Sequence, residues 1–105
     1  MFQELLQNQK KFFKSHQTKH NDFRLTSLKK LKEVILYNEN EITTALLEDF
    51  KKPVFETYIT EISVVLSELD LMIKNIASWS KPEKIRPALM NFPSTEYIYN
   101  EPYGN

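Results

Sequence analysis

The strongest constraint on this chain is a run of apolar residues that keeps near-heptad spacing through its middle. Tyr58, Ile59, Ile62, Val65, Leu66, Leu69, Met72, Ile73 and Ile76 recur at helical intervals. Glu56, Glu61, Glu68 and Lys74 fall largely on the other faces. The spacing predicts one long helix over 54–76. Pro53 opens it, because a residue without an N–H suits a first turn and not an interior. The helix should end near Trp79, since Pro82 follows.

Upstream, Phe2, Leu5, Leu6, Phe12 and Phe13 predict an amphipathic helix over 2–16. Residues 15–22 are polar and read as a connection, with Asn21 or Asp22 as the cap of a second helix. That helix carries Phe23, Leu28, Leu31, Val34 and Ile35 on one side. Asn38 and Asn40 punctuate a turn. Asn40 is expected to cap a third helix with Ile42, Ala45, Leu46 and Phe50 on its apolar face. Lys51-Lys52-Pro53 interrupts the pattern before the long helix.

Beyond Trp79 the character changes. Pro82, Pro87, Pro93 and Pro102 make further helix unfavourable. Two short strands are expected over 88–92 and 96–100, joined by Pro93-Ser94-Thr95 as a hairpin. The expected class is therefore mainly α with a C-terminal β-hairpin. Residues 1–80 form the helical part, and 81–105 the linker and hairpin. Each helix presents a wide apolar face, and the tail offers little to cover it. Either the helices bury one another in a small bundle, or they pack on something missing. The stretch 99–105 stops where a new element is expected to start, so the chain reads as truncated at its C-terminus.

The composition excludes several chemistries. The only glycine is Gly104, whereas loops that cradle phosphates need glycine for close backbone approach. No cysteine is present, so this stretch holds no thiol nucleophile and no thiolate metal site. His16 and His20 are four apart but lack a third ligand at fitting distance, and they read as solvated side chains. The carboxylates of Glu48, Asp49, Glu56, Glu61, Glu68 and Asp70 read as helix solubility. Lys and Arg balance Asp and Glu at 14 each, which argues against a nucleic-acid partner despite Trp79 and the other aromatics. The N-terminus is too polar for a signal peptide, and the cytoplasm is the expected location.

Taken in order, the residues resemble one family. Phe12-Phe13, Phe23-Arg24 and Leu28-Lys29-Lys30-Leu31 are similar to the opening helices of the class 3, or fatty-aldehyde, aldehyde dehydrogenases. The stretch from Ala45 through Asp49, Lys52-Pro53 and Glu56 continues the likeness. So do Glu61-Ile62, Glu68-Leu69-Asp70, Trp79, Tyr97-Ile98-Tyr99 and Glu101-Pro102-Tyr103-Gly104. One position departs: the family often has Gly after the Ser of the first connection, and here His16 stands there.

The resemblance implies the N-terminal helical part of the α/β aldehyde dehydrogenase fold. In it, residues 1–80 flank the cofactor domain and 81–105 begin the oligomerisation arm. It implies an enzyme that oxidises aldehydes to carboxylic acids through a cysteine thioester, with NAD or NADP as hydride acceptor. It places the thiol, the general base and the pyrophosphate contacts beyond Asn105, so no catalytic, cofactor or metal residue is expected in this stretch. Thr60 and Val64 match positions that line the aldehyde entrance. Residues 88–101 match the hairpin through which a homodimer forms. The remaining alternative is a stand-alone helical protein-interaction module without catalysis.

Overall fold

In the computed structural model, residues 1–104 are described. Asn105, the last residue of the expected arm, lies outside them. The helices are α1 (Phe2–Lys14), α2 (Asn21–Tyr37), α3 (Glu39–Phe50), α4 (Val54–Thr57) and α5 (Ser63–Trp79). A π-helical turn, Tyr58–Ile62, joins α4 to α5. Strands β1 (Glu83–Ile85) and β2 (Glu96–Ile98) form an antiparallel pair. The expected class, mainly α with a C-terminal hairpin, is what the chain adopts. It divides into two compact units: Met1–Arg24 with the chain from Ile76 on, and Leu25–Asn75.

In the first unit, α1 ends two residues before the expected boundary. Ser15 turns its hydroxyl onto the Phe12 carbonyl at 2.6 Å, and His16 then adopts the left-handed conformation at φ 63°. This is the position where the family often has glycine, the residue best suited to that conformation. The polar connection is not featureless: Gln17–Lys19 forms one turn of 3₁₀-helix. That turn leaves His20 extended, and its carbonyl accepts the first bond of α2 from the Arg24 amide at 3.1 Å. His20 therefore holds the cap position expected of Asn21 or Asp22.

Arg24 ties the unit together. Its Nε donates to the Thr18 carbonyl at 2.5 Å, and its Nη1 to Ser80 Oγ at 3.3 Å. Ser80 in turn donates to the Ile76 carbonyl at 2.7 Å. The Phe12 and Phe23 rings meet at 5.6 Å. Asn100 donates to the Trp79 carbonyl at 3.4 Å, and Lys19 pairs with Glu101 at 3.6 Å.

The hairpin forms from a different first strand than expected. Pairing runs Glu83 to Ile98, Lys84 to Tyr97 and Ile85 to Glu96. Residues 88–92 instead hold a 3₁₀ turn, Leu89–Asn91, with Asn91 donating to the Ala88 carbonyl at 2.8 Å. The reason is the two flanking prolines. Pro87 and Pro93 remove ladder donors on both sides of that segment, while 83–85 lies free between Pro82 and Pro87. The second strand was expected over 96–100 and spans Glu96–Ile98.

In the second unit, α3 starts two residues earlier than expected. Asn38 stands at its cap and Asn40 lies inside its first turn. The Asn38 side chain does not cap; it donates back to the Val34 carbonyl at 2.8 Å. Lys32 and Asp70 pair at 2.5 Å. Among the described residues, the buried ones are Thr43, Thr57, Ile62 and Leu69, all in this unit.

Two outcomes follow from the first unit. Replacing His16 by Gly should raise stability by about 1 kcal/mol, because a side chain at positive φ is relieved. Replacing Arg24 by Met should lower it by about 2 kcal/mol, because two charge-assisted bonds are lost. Urea titration of helical ellipticity reads both, and shifts of the opposite sign would contradict the assignments.

Candidate functional site

The segment that the resemblance marks is built from the end of α3 onward. Lys51 takes the left-handed conformation at φ 59° and ends α3. Its amide donates to the Leu47 carbonyl at 3.0 Å, and that of Lys52 to Leu46 at 3.4 Å, which satisfies carbonyls the helix end would leave open. Pro53 is extended, at φ −60° and ψ 147°, and its carbonyl accepts the Thr57 amide at 2.9 Å. The chain thus enters α4 in the way the proline signature implies.

The long helix expected over 54–76 does form, and it runs on to Trp79. It is not uniform. Burial explains why the turn at Tyr58–Ile62 is widened. Thr57 is fully buried and Ile62 is 3% exposed, yet they are five residues apart. On a regular α-helix five residues subtend about 140° of residual rotation, which would place them on different sides. The i→i+5 spacing of a π turn stacks them instead. Leu69, seven residues beyond Ile62, then returns to the same side with ordinary α spacing and is also buried.

Two hydroxyls reinforce the distortion. Thr60 Oγ1 donates to the Glu56 carbonyl at 2.8 Å, and Ser63 Oγ to the Ile59 carbonyl at 2.7 Å. Hydroxyl back-bonding of this kind competes with the regular ladder and bends helices. A further tie reaches across α4: Lys52 Nζ stands 2.7 Å from Glu61 Oε1. The Lys52 side chain is 13% exposed, so its stem is covered while its ammonium meets the carboxylate.

Thr60 lies inside the π turn and Val64 in the first turn of α5, four residues on, so they share a face. Thr60 is exposed and Val64 is half exposed at 52%. Phe55, five residues before Thr60, is 75% exposed. The face offers apolar contact and one hydroxyl whose proton is already donated. Nothing in sequence pattern marked Lys52 and Glu61 as a pair. The available signal was a cation just before the helix-opening proline and an acid two turns later.

The other sequence candidates do not converge on this face. His16 and His20 are exposed in the first unit. Among the described residues, no three His, Asp or Glu side chains gather at one point. Glu48 lines a shallow open depression on α3 with Asn40, Glu41, Thr44 and Ala45, and neither Thr60 nor Val64 borders it. The two positive-φ positions among the described residues, His16 and Lys51, both carry side chains. No helix among the described residues is long and apolar enough to cross a membrane.

The chain matches no family model. It is 38% identical over 97 residues to aldehyde dehydrogenase family 3 comG of Dictyostelium discoideum, covering 92% of this chain and 21% of that protein. It is 39% identical over 95 residues to the 4,4'-diaponeurosporen-aldehyde dehydrogenase of Staphylococcus aureus, covering 90% of this chain and 21% of that one. The mouse aldehyde dehydrogenase family 3 member B1 is 32% identical over 103 residues, with 98% and 22% covered. Among solved structures, substrate-bound Staphylococcus aureus AldH superposes with a TM-score of 0.94 at 35% identity, covering 98% of this chain and 22% of that chain. The chain thus spans about a fifth of the length of the relatives it matches.

One outcome follows from the buried side of the π turn. The Thr57 hydroxyl is buried and has no hydrogen-bond partner. Thr57→Val should therefore stabilise the chain by about 1 kcal/mol, by removing a desolvated polar group at nearly constant shape. A higher urea midpoint is the expected result. A lower one would mean that the hydroxyl is satisfied.

Proposed function

We infer that this chain, which belongs to the aldehyde dehydrogenase family on its class 3 branch, serves as the N-terminal portion of an NAD(P)-dependent enzyme. The reaction is oxidation of an aldehyde to a carboxylic acid by way of a cysteine thioester. One observation carries this reading: sequence identity and backbone geometry agree over nearly the whole chain with about a fifth of the length of members of one enzyme family.

This chain's residues supply neither the thiol nor a cradle for the cofactor, so both belong to the rest of the enzyme. What this chain contributes is shape. Residues 1–80 serve as the helical flank of the cofactor domain, and 81–105 as the linker and the start of the oligomerisation arm. Thr60 and Val64 line the aldehyde entrance; the support is their shared exposed face and the family positions they match. The arm at 88–101 contributes to a homodimer. Its support is the strand Glu96–Ile98, in a two-stranded sheet whose short strands leave an edge for another chain. The enzyme acts in the cytoplasm on aldehydes whose apolar part meets this face.

The test compares the 105 residues alone with the chain joined to a complete family 3 catalytic region. Both are assayed for NAD(P)H formation with an aliphatic aldehyde. Activity in the longer protein alone is the expected result. Absence of activity in both, with the short form a cooperative monomer, would favour the interaction module instead.

A further inference from the structure

The ion pair between Lys52 and Glu61 joins two residues that the aldehyde reading leaves without a role. Lys52 belongs to the link between α3 and α4, and Glu61 to the π turn. Their atoms meet at 2.7 Å, and the lysine stem is largely covered. The pair is partly covered, with the Lys52 side chain 13% exposed and that of Glu61 47%, so salt and side-chain entropy weaken it less than a fully exposed pair. It spans α4, a helix of only four residues, which has little internal ladder of its own.

A π turn is a register slip. Without it, the helix on one side rotates by about 100° relative to the other. Thr60 lies within the slip and Val64 just beyond it, so the pitch of this turn sets how the two side chains stand to each other. Glu61 is the residue directly after Thr60. A restraint on Glu61 is therefore a restraint on the direction of Thr60.

We propose that Lys52 and Glu61 are positioning residues for aldehyde binding, acting through the π turn that presents Thr60 and Val64. This rests on the reading that Thr60 and Val64 line the aldehyde entrance. Neither residue touches the aldehyde. The pair fixes the shape of the wall, and so bears on KM for the aldehyde rather than on the chemical step or the cofactor.

The experiment uses the complete enzyme carrying this segment, with octanal and NAD(P) as probes. Lys52→Met keeps the apolar stem and removes the charge, and Glu61→Gln keeps the shape. Each should raise KM for octanal about fivefold, with kcat and KM for NAD(P) unchanged. The charge swap Lys52→Glu with Glu61→Lys should bring KM back to within about twofold, because the pair is re-formed. Lys52→Arg should stay near wild type, and it remains informative if Lys52→Met does not fold.

An unchanged KM for octanal in both single variants of an active enzyme overturns the proposal. So does a fall in kcat with KM for octanal unchanged, unrescued by the swap, because loss of folded molecules lowers kcat alone. A wild-type enzyme that oxidises no aldehyde overturns the proposal together with the reading beneath it, and the wild-type arm tells that case apart.

Discussion

Helices in proteins hold their form mainly because an apolar face is covered. This chain meets that requirement in only one place. Among the described residues, the buried apolar side chains are Ile62 and Leu69, both in the unit Leu25–Asn75. Phe2, Phe55, Leu89, Met90 and Phe92 all stand more than two-thirds exposed. Apolar surface on that scale is uncommon on a self-sufficient domain. On the proposed reading those faces pack against other parts of a dehydrogenase, and the chain spans about a fifth of the length of its relatives.

The same scarcity of burial explains the local distortion. With so few buried positions, the long helix gains by placing Thr57, Ile62 and Leu69 on one side, and a regular helix cannot do so. The chain widens one turn, and hydroxyls at Thr60 and Ser63 bond back into the helix there. Burial thus sets a register slip, and the register slip sets which residues face outward. The Lys52–Glu61 pair closes the distorted segment from its other end.

Much of this was legible in the residues. The apolar stripe gave the long helix, Pro53 its start and Pro82 its end, because period and backbone chemistry act locally. The family assignment also came from residue order alone. The slip at Tyr58–Ile62 was not legible, since near-heptad spacing tolerates one wide turn and the burial of Thr57 depends on what packs there. The first strand was misplaced because the propensity of 88–92 was weighed without its flanking prolines. Both helix starts were displaced by contacts with the residues just before them. At α2 a 3₁₀ turn handed the cap to His20, and at α3 the Asn38 amide was engaged by Val34. His16 showed the converse, a departure from the family pattern whose meaning emerged only with its backbone angle.

On the proposed reading, this chain carries apolar faces that pack against a larger protein. Sedimentation velocity of the 105 residues across a range of concentrations tests it most directly. The account predicts association that deepens with concentration as exposed faces find one another. A single monomeric species at every concentration would contradict it.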